Sequence, residues 1–165
     1  MLRAGYLSQL KKLHVNPRND LSSLEPGLFE VVTRLEEADL SGKSYFTSGP
    51  GRSLSTGQLT RLLTAIKEAE QLRLRRLDIP LNNLSHVDTD ILVEALSRLE
   101  VVTLWSSCLT ADQLTEIYRL VAERRSPTLR KIFLRGNDID SVPSDIREEA
   151  MKNLDTKIID KTIFE

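Results

Sequence analysis

LRKIFLRGNDI, from Leu129 to Ile139, carries leucine or isoleucine at its first, fourth, sixth and eleventh positions and asparagine at its ninth. The same pattern, LxxLxLxxNxL, returns as LRRLDIPLNNL from Leu74 to Leu84, and as LEVVTLWSSCL from Leu99 to Leu109 with Ser107 in the asparagine place. LEEADL (Leu35 to Leu40) and LKKLHV (Leu10 to Val15) open two more copies, and LDTKII (Leu154 to Ile159) a degenerate sixth. Self-similarity at a near-regular period governs the whole fold, so it is settled before any single motif is interpreted. Within each copy the apolar residues alternate, the period of a strand with one buried face.

The copies begin at residues 10, 35, 74, 99, 129 and 154, in steps of 25, 39, 25, 30 and 25. Those steps expose a double repeat: Leu74 to Leu129 spans 55 residues and Leu10 to Leu74 spans 64, so the first double unit holds about nine extra. Odd copies share LSSLEPGLFEVVTRL, LSHVDTDILVEALSRL and IDSVPSDIREEAMKNL; even copies share LSTGQLTRLLTAI and LTADQLTEIYRLV. Both classes read as a strand, a turn and a helix whose apolar residues fall at three-and-four spacing: Leu59, Leu62, Leu63 and Ile66 in one, Leu114, Ile117, Leu120 and Val121 in another. Glu25-Pro26 and Asp88, Thr89 and Asp90 suit helix first turns.

On these repeats the chain resembles the ribonuclease-inhibitor-like class of leucine-rich repeats and is similar to the repeat regions of cytosolic nucleotide-binding immune receptors; the resemblance covers Leu10 to about Ile159. It implies an α/β leucine-rich-repeat solenoid, a horseshoe arc of about six repeats with a parallel inner sheet and outer helices, acting as a protein-binding scaffold. One repeat cannot offset its own backbone entropy with the few aliphatics it buries, so repeats must stack and the ends need covering. The sequence offers no clear cap. Either Tyr6 and Phe164 help cover the ends, or residues 1–165 are a single domain cut from a longer, receptor-like chain.

Composition agrees with a soluble domain: net charge −1, 40% hydrophobic and 28% charged residues, and apolar runs too short to span a bilayer. The near-neutral balance supplies no overall positive field for nucleic acid or anionic membrane. The N-terminus lacks an unbroken apolar stretch and a small-residue cleavage site, so no signal peptide is expected. A single cysteine, Cys108, excludes an internal disulfide and fits a reducing compartment, giving a cytoplasmic or nuclear expectation.

Gly42-Lys43-Ser44 is the ending of a phosphate-binding P-loop, which requires GxxxxGK[ST] with a helix starting behind the lysine. Five residues before Gly42 stands Glu37, and YFTSGPG follows from Tyr45 to Gly51, which cannot be helical. The repeat explains the segment better: Ser44 to Ser53 is an inserted Ser/Gly/Pro-rich loop, with Tyr45 and Phe46 as its candidate contacts. No catalytic constellation emerges. His14 and His86 lie in different copies with no cluster at metal-ligand spacing, Cys108 reads as a half-buried structural thiol, and Asp138-Ile139-Asp140 lacks the glycine and glutamate of a calcium loop. No enzyme activity, cofactor or metal is therefore expected.

The pairs after each opening leucine, Lys11-Lys12, Glu36-Glu37, Arg75-Arg76, Glu100-Val101, Arg130-Lys131 and Asp155-Thr156, alternate in sign. Stacked on neighbouring strands they would pin the register of the sheet. Strand alternation sends the residues between and just after the repeat leucines outward: His14 and Asn16, Asp39 and Ser41, Asp78 and Pro80, Thr103 and Trp105, Phe133 and Arg135, Ile158 and Asp160. Trp105, Phe133 and Arg135, supported by Asp78 and Thr103, form the expected partner-binding set on the concave sheet face, since exposed Trp, aromatic and Arg residues dominate interface energies. A protein partner follows, with oligomeric state open. A different reading, also suggested by resemblance, is a regulator that accelerates hydrolysis in a small GTPase.

Overall fold

The computed structural model describes residues 10–15, 20–25, 27–42, 53–152 and 157–159. Six strands, β1 (Lys12–His14), β2 (Glu37–Asp39), β3 (Arg76–Asp78), β4 (Val101–Thr103), β5 (Lys131–Phe133) and β6 (Lys157–Ile159), form one sheet in chain order with every pair parallel. Between them, among the described residues, run five helices: α1 (Gly27–Val32), α2 (Thr56–Glu68), α3 (Thr89–Ser97), α4 (Ala111–Ala122) and α5 (Ser144–Lys152). Parallel neighbours cannot be joined by a hairpin, so each strand is followed by a crossover, here a helix. The result is an α/β fold.

The leucine pattern sets the register. Glu37, Arg76, Val101 and Lys131, each two residues after an opening leucine, stand in line across the sheet. Upstream of the strands one bond pattern recurs in four successive copies: the carbonyl of Lys11, Glu36, Arg75 and Glu100 each accepts two N–H groups of the next copy, at 2.7 to 3.2 Å. Downstream the ladder outlasts the strands, with Gly42 N donating to Pro80 O, Leu81 N to Trp105 O and Ser106 N to Arg135 O. Ala38, Leu77, Val102 and Ile132 turn into a single core shared with the helices, which supply Phe29, Leu62, Leu63, Ile66, Leu92, Leu114 and Ile117. The apolar positions assigned to α2 and α4 are all buried.

Helix starts follow from local chemistry. Ser55 and Thr110 cap α2 and α4 in reciprocal boxes with Gln58 and Gln113, and the Asp88 carboxylate accepts from Asp90 N and Ile91 N at the head of α3. The eighth motif position turns left-handed, φ being +60° at Leu81, +51° at Ser106 and +75° at Gly136. Gly136 suits that region and also has no room for a side chain, since a Cβ would sit 2.4 Å from Ser106 Oγ.

Four expectations change. In β6, Ile158 is in register with Ile132 and Ile159 with Phe133, so the sixth copy is offset by one residue from LDTKII read as LxxLxL, and Ile158 does not share the register position of Phe133 expected for it. Pro80 is buried although its column points outward. Cys108 is exposed rather than half-buried, because φ of +53° carries it out of the turn. Arg76 bonds to Asp78 of its own strand, whereas Lys11–Glu36, Lys12–Glu37 and Arg75–Glu100 do pair across strands as charge alternation requires. Tyr6, Asn16, Lys43 to Arg52 with Tyr45 and Phe46, Leu154, Asp155-Thr156, Asp160 and Phe164 lie outside the described residues.

The insertion is delimited by its anchors. Asn82 donates from Nδ2 to Leu40 O at 2.9 Å and accepts at Oδ1 from Leu54 N at 2.9 Å; Asn137 holds the corresponding Leu104 O and Leu109 N at 2.8 and 3.2 Å. Leu40 to Leu54 is therefore the counterpart of Leu104 to Leu109, and the difference is nine residues. Gly42 is a close-approach glycine, its absent Cβ falling 2.2 Å from Leu81 O, with its N–H already donated to Pro80 O. Deleting residues 43–51 should therefore reproduce the shorter connection. We expect a folded chain within about 1 kcal/mol of the parent, since loop closure depends weakly on length; a loss several times larger in urea denaturation would show that the insertion carries core contacts.

Candidate functional site

The outward face is assembled by the strand period. Cα partners place His14, Asp39, Asp78, Thr103 and Phe133 in one row across β1 to β5. Two residues further on, the extended ladder aligns Pro80, Trp105 and Arg135 in a second row. The sequence-assigned set, Asp78, Thr103, Trp105, Phe133 and Arg135, is thus brought together on three adjacent strands.

The two halves of the face differ chemically. Toward β1 the polar groups are engaged with one another: His14 Nδ1 lies 2.6 Å from Asp39 Oδ2, and Ser41 donates to Asp39 Oδ1 through its backbone N–H at 3.1 Å and through its hydroxyl. Asp78 accepts from Arg76 Nε at 2.7 Å and from the Thr103 hydroxyl. The hydrogen bond to Asp78, reinforced by the charges of Asp78, Glu37 and Asp39, holds the Arg76 guanidinium protonated above its usual range. Toward β5 the character turns aromatic. Trp105 is 39% exposed, Arg135 is exposed and Phe133 is half-buried.

Sequence reasoning overlooked the groups that brace this face from behind. Gln113 Nε2, fully buried, donates to Leu84 O at 2.9 Å and Val87 O at 2.8 Å, and Gln58 Nε2 does the same for Leu21 O and Leu24 O one double unit earlier. Each even helix is thereby tied to the preceding odd turn. The shared Ser/Thr-x-x-Gln of LSTGQL and LTADQL was the available signal, since a capping glutamine has a second amide group to place. Arg98 caps the end of α2 through Ile66 O, Lys67 O and Ala69 O. At the back of α4, Glu116 is held below the usual carboxylate range by Arg119 first and then Arg125.

Among the described residues no three His, Cys, Asp or Glu side chains converge as a metal site, and no helix is long and apolar enough to cross a membrane. Set against known protein families, curated proteins and solved structures, the chain matches none of them.

Asp78 is more a brace than a contact, since its carboxylate is already bonded on both sides. Asp78→Ala should cost about 1–2 kcal/mol by orphaning Arg76 and Thr103. A change within a few tenths of a kcal/mol in denaturant unfolding would contradict that role.

Proposed function

We propose that the chain is a leucine-rich-repeat solenoid of about six repeats, of the ribonuclease-inhibitor-like class, and that it serves as a protein-interaction scaffold on its concave sheet face. The observation that carries this reading is Trp105: a large indole left 39% exposed on a regular sheet face, in line with Arg135 and one strand from Phe133. Tryptophan and arginine beside a half-buried aromatic are the residues whose removal weakens interfaces most. Support for the solenoid comes from the sequential parallel strands, the repeated two-donor carbonyls and the matched roles of Asn82 and Asn137.

The same face argues for binding rather than chemistry. Its carboxylates, Asp39 and Asp78, are occupied by structural partners, His14 being the partner of Asp39, and His86 lies exposed in the turn after β3. The lone exposed cysteine suits a cytoplasmic setting, and a chain of this kind can be one segment of a longer receptor-like protein.

Trp105 is the only tryptophan, so its emission reports the face directly. Partners captured from lysate by the wild type and by Trp105→Ala/Arg135→Glu should differ, with at least one lost to the variant while circular dichroism and unfolding stay close to the parent. Addition of that partner should shift the Trp105 emission to the blue. Equal capture by a folded variant, with emission unmoved, would remove the concave face from consideration.

A further inference from the structure

Charge is distributed unevenly between the two edges of the sheet. Where helices turn into strands, the connecting segments carry Arg34, Arg73, Arg75, Arg98, Arg124, Arg125 and Arg130 against four glutamates, among the described residues. Where strands turn into helices, the described connections carry Asp20, Glu25, Asp88, Asp138 and Asp140 against one arginine, Arg135. Helix macrodipoles favour this polarity, cations gathering at helix C-termini. That accounts for Arg98, whose guanidinium is consumed by the α2 carbonyls, and Arg125 is paired with Glu116 and Glu123.

It does not account for Arg34 and Arg73. Arg73 N donates to Thr33 O at 2.9 Å, which sets these two arginines side by side, and neither guanidinium has an ion-pair or hydrogen-bond partner among the described residues. Both open into a groove of about 690 Å³ lined, among the described residues, by five basic and two acidic side chains, with Leu10 and Leu72 among its apolar walls. Leu10 is 40% exposed. A local excess of three positive charges on a chain of net charge −1 is an electrostatic attractor.

We propose that this groove is a second interaction surface, which takes a short acidic protein segment bearing carboxylates on either side of an apolar residue. Each guanidinium presents a planar fork that matches a carboxylate, and Leu10 with Leu72 receives the apolar side chain between them. A continuous polyanion fits less well. Glu36 and Glu100 stand within the groove, Glu30, Glu68 and Glu70 line the adjoining one that Arg34 and Arg73 also border, and among the described residues no aromatic side chain lines this groove for a base to stack on. The assignment is independent of the outward face and of the reading built on Trp105.

The test uses the full chain, isotope-labelled for NMR, titrated with acetyl-Asp-Glu-Leu-Asp-Glu-amide at low salt. Amide shifts should concentrate at Arg34 and from Leu72 to Arg75, weaken about tenfold in Arg34→Gln/Arg73→Gln, and vanish at about 0.5 M NaCl. Both arginines are exposed, so the variant should fold; the single change Arg73→Gln, together with the wild-type shift map, decides the matter if it does not. The proposal is overturned by shifts confined elsewhere, by equal binding to a folded variant, by no shifts at about 2 mM peptide, or by equal binding of the peptide with lysine in place of its acids. Tighter binding of oligothymidylate or of phosphatidylserine vesicles at the same amides would overturn the choice of a protein segment.

Discussion

The structure depends on side-chain amides at the turns, two of them, Asn82 and Gln113, fully buried and Asn137 half-buried. A strand of three residues hands the chain directly into a turn inside the protein, where every N–H and C=O needs a partner. Asn82 and Asn137 solve this at one point each, because an amide offers donors and acceptors together: each reaches the carbonyl at the end of the previous strand and an N–H just before the previous copy's next helix. Ser107 has the same place but a poorer inventory. Its hydroxyl reaches Ile79 O and Trp105 O only at 3.5 and 3.4 Å; there Leu84 N donates to the Ser107 backbone carbonyl at 3.0 Å, and Gln113 adds its bonds to Leu84 O and Val87 O. Asparagine and glutamine bonds therefore alternate along the chain, and each side chain joins its own unit to a neighbour: Asn82 also donates to Ile79 O and Asn137 to Leu134 O within the same copy.

This division of labour shapes the outer surface. With the turns satisfied from inside, the outward side chains are released from holding the backbone, and their own chemistry decides what they do. Near β1 to β3 they are spent on one another, through His14 with Asp39 and Arg76 with Asp78. Near β4 and β5 the row passes to Thr103, Trp105, Phe133 and Arg135, and aromatic surface meets solvent. The braced side chains and the exposed aromatic surface are thus neighbours on adjacent strands of one face.

Much of the architecture was legible because its signals are periodic. The repeat leucines fix the register of five strands, the three-and-four spacing fixes the buried faces of α2 and α4, and the count of extra residues fixes the insertion. The misreadings share a cause: they turn on a single residue's freedom. LDTKII offers adjacent isoleucines, so alternation allows two registers, and the one that aligns Ile158 with Ile132 is adopted. Cys108 depends on a left-handed φ that no composition reveals. For the outward face, strand alternation identified which residues share the surface, but the saturation of Asp78 requires knowledge of where the Arg76 and Thr103 side chains go. The paired exposure of Arg34 and Arg73 arises from a tertiary bond, Arg73 N to Thr33 O, between segments 40 residues apart in the chain.

Hydrogen exchange at the amides of Leu54, Ser107 and Leu109 tests this account most directly. All three lie outside regular strands and helices, and each donates to an asparagine Oδ1. If the side-chain amides bind unit to unit, these N–H groups open only when the core does, and their protection matches that of the β3 to β5 strand amides. Exchange at the pace of exposed turn amides, with the strands still protected, would contradict it.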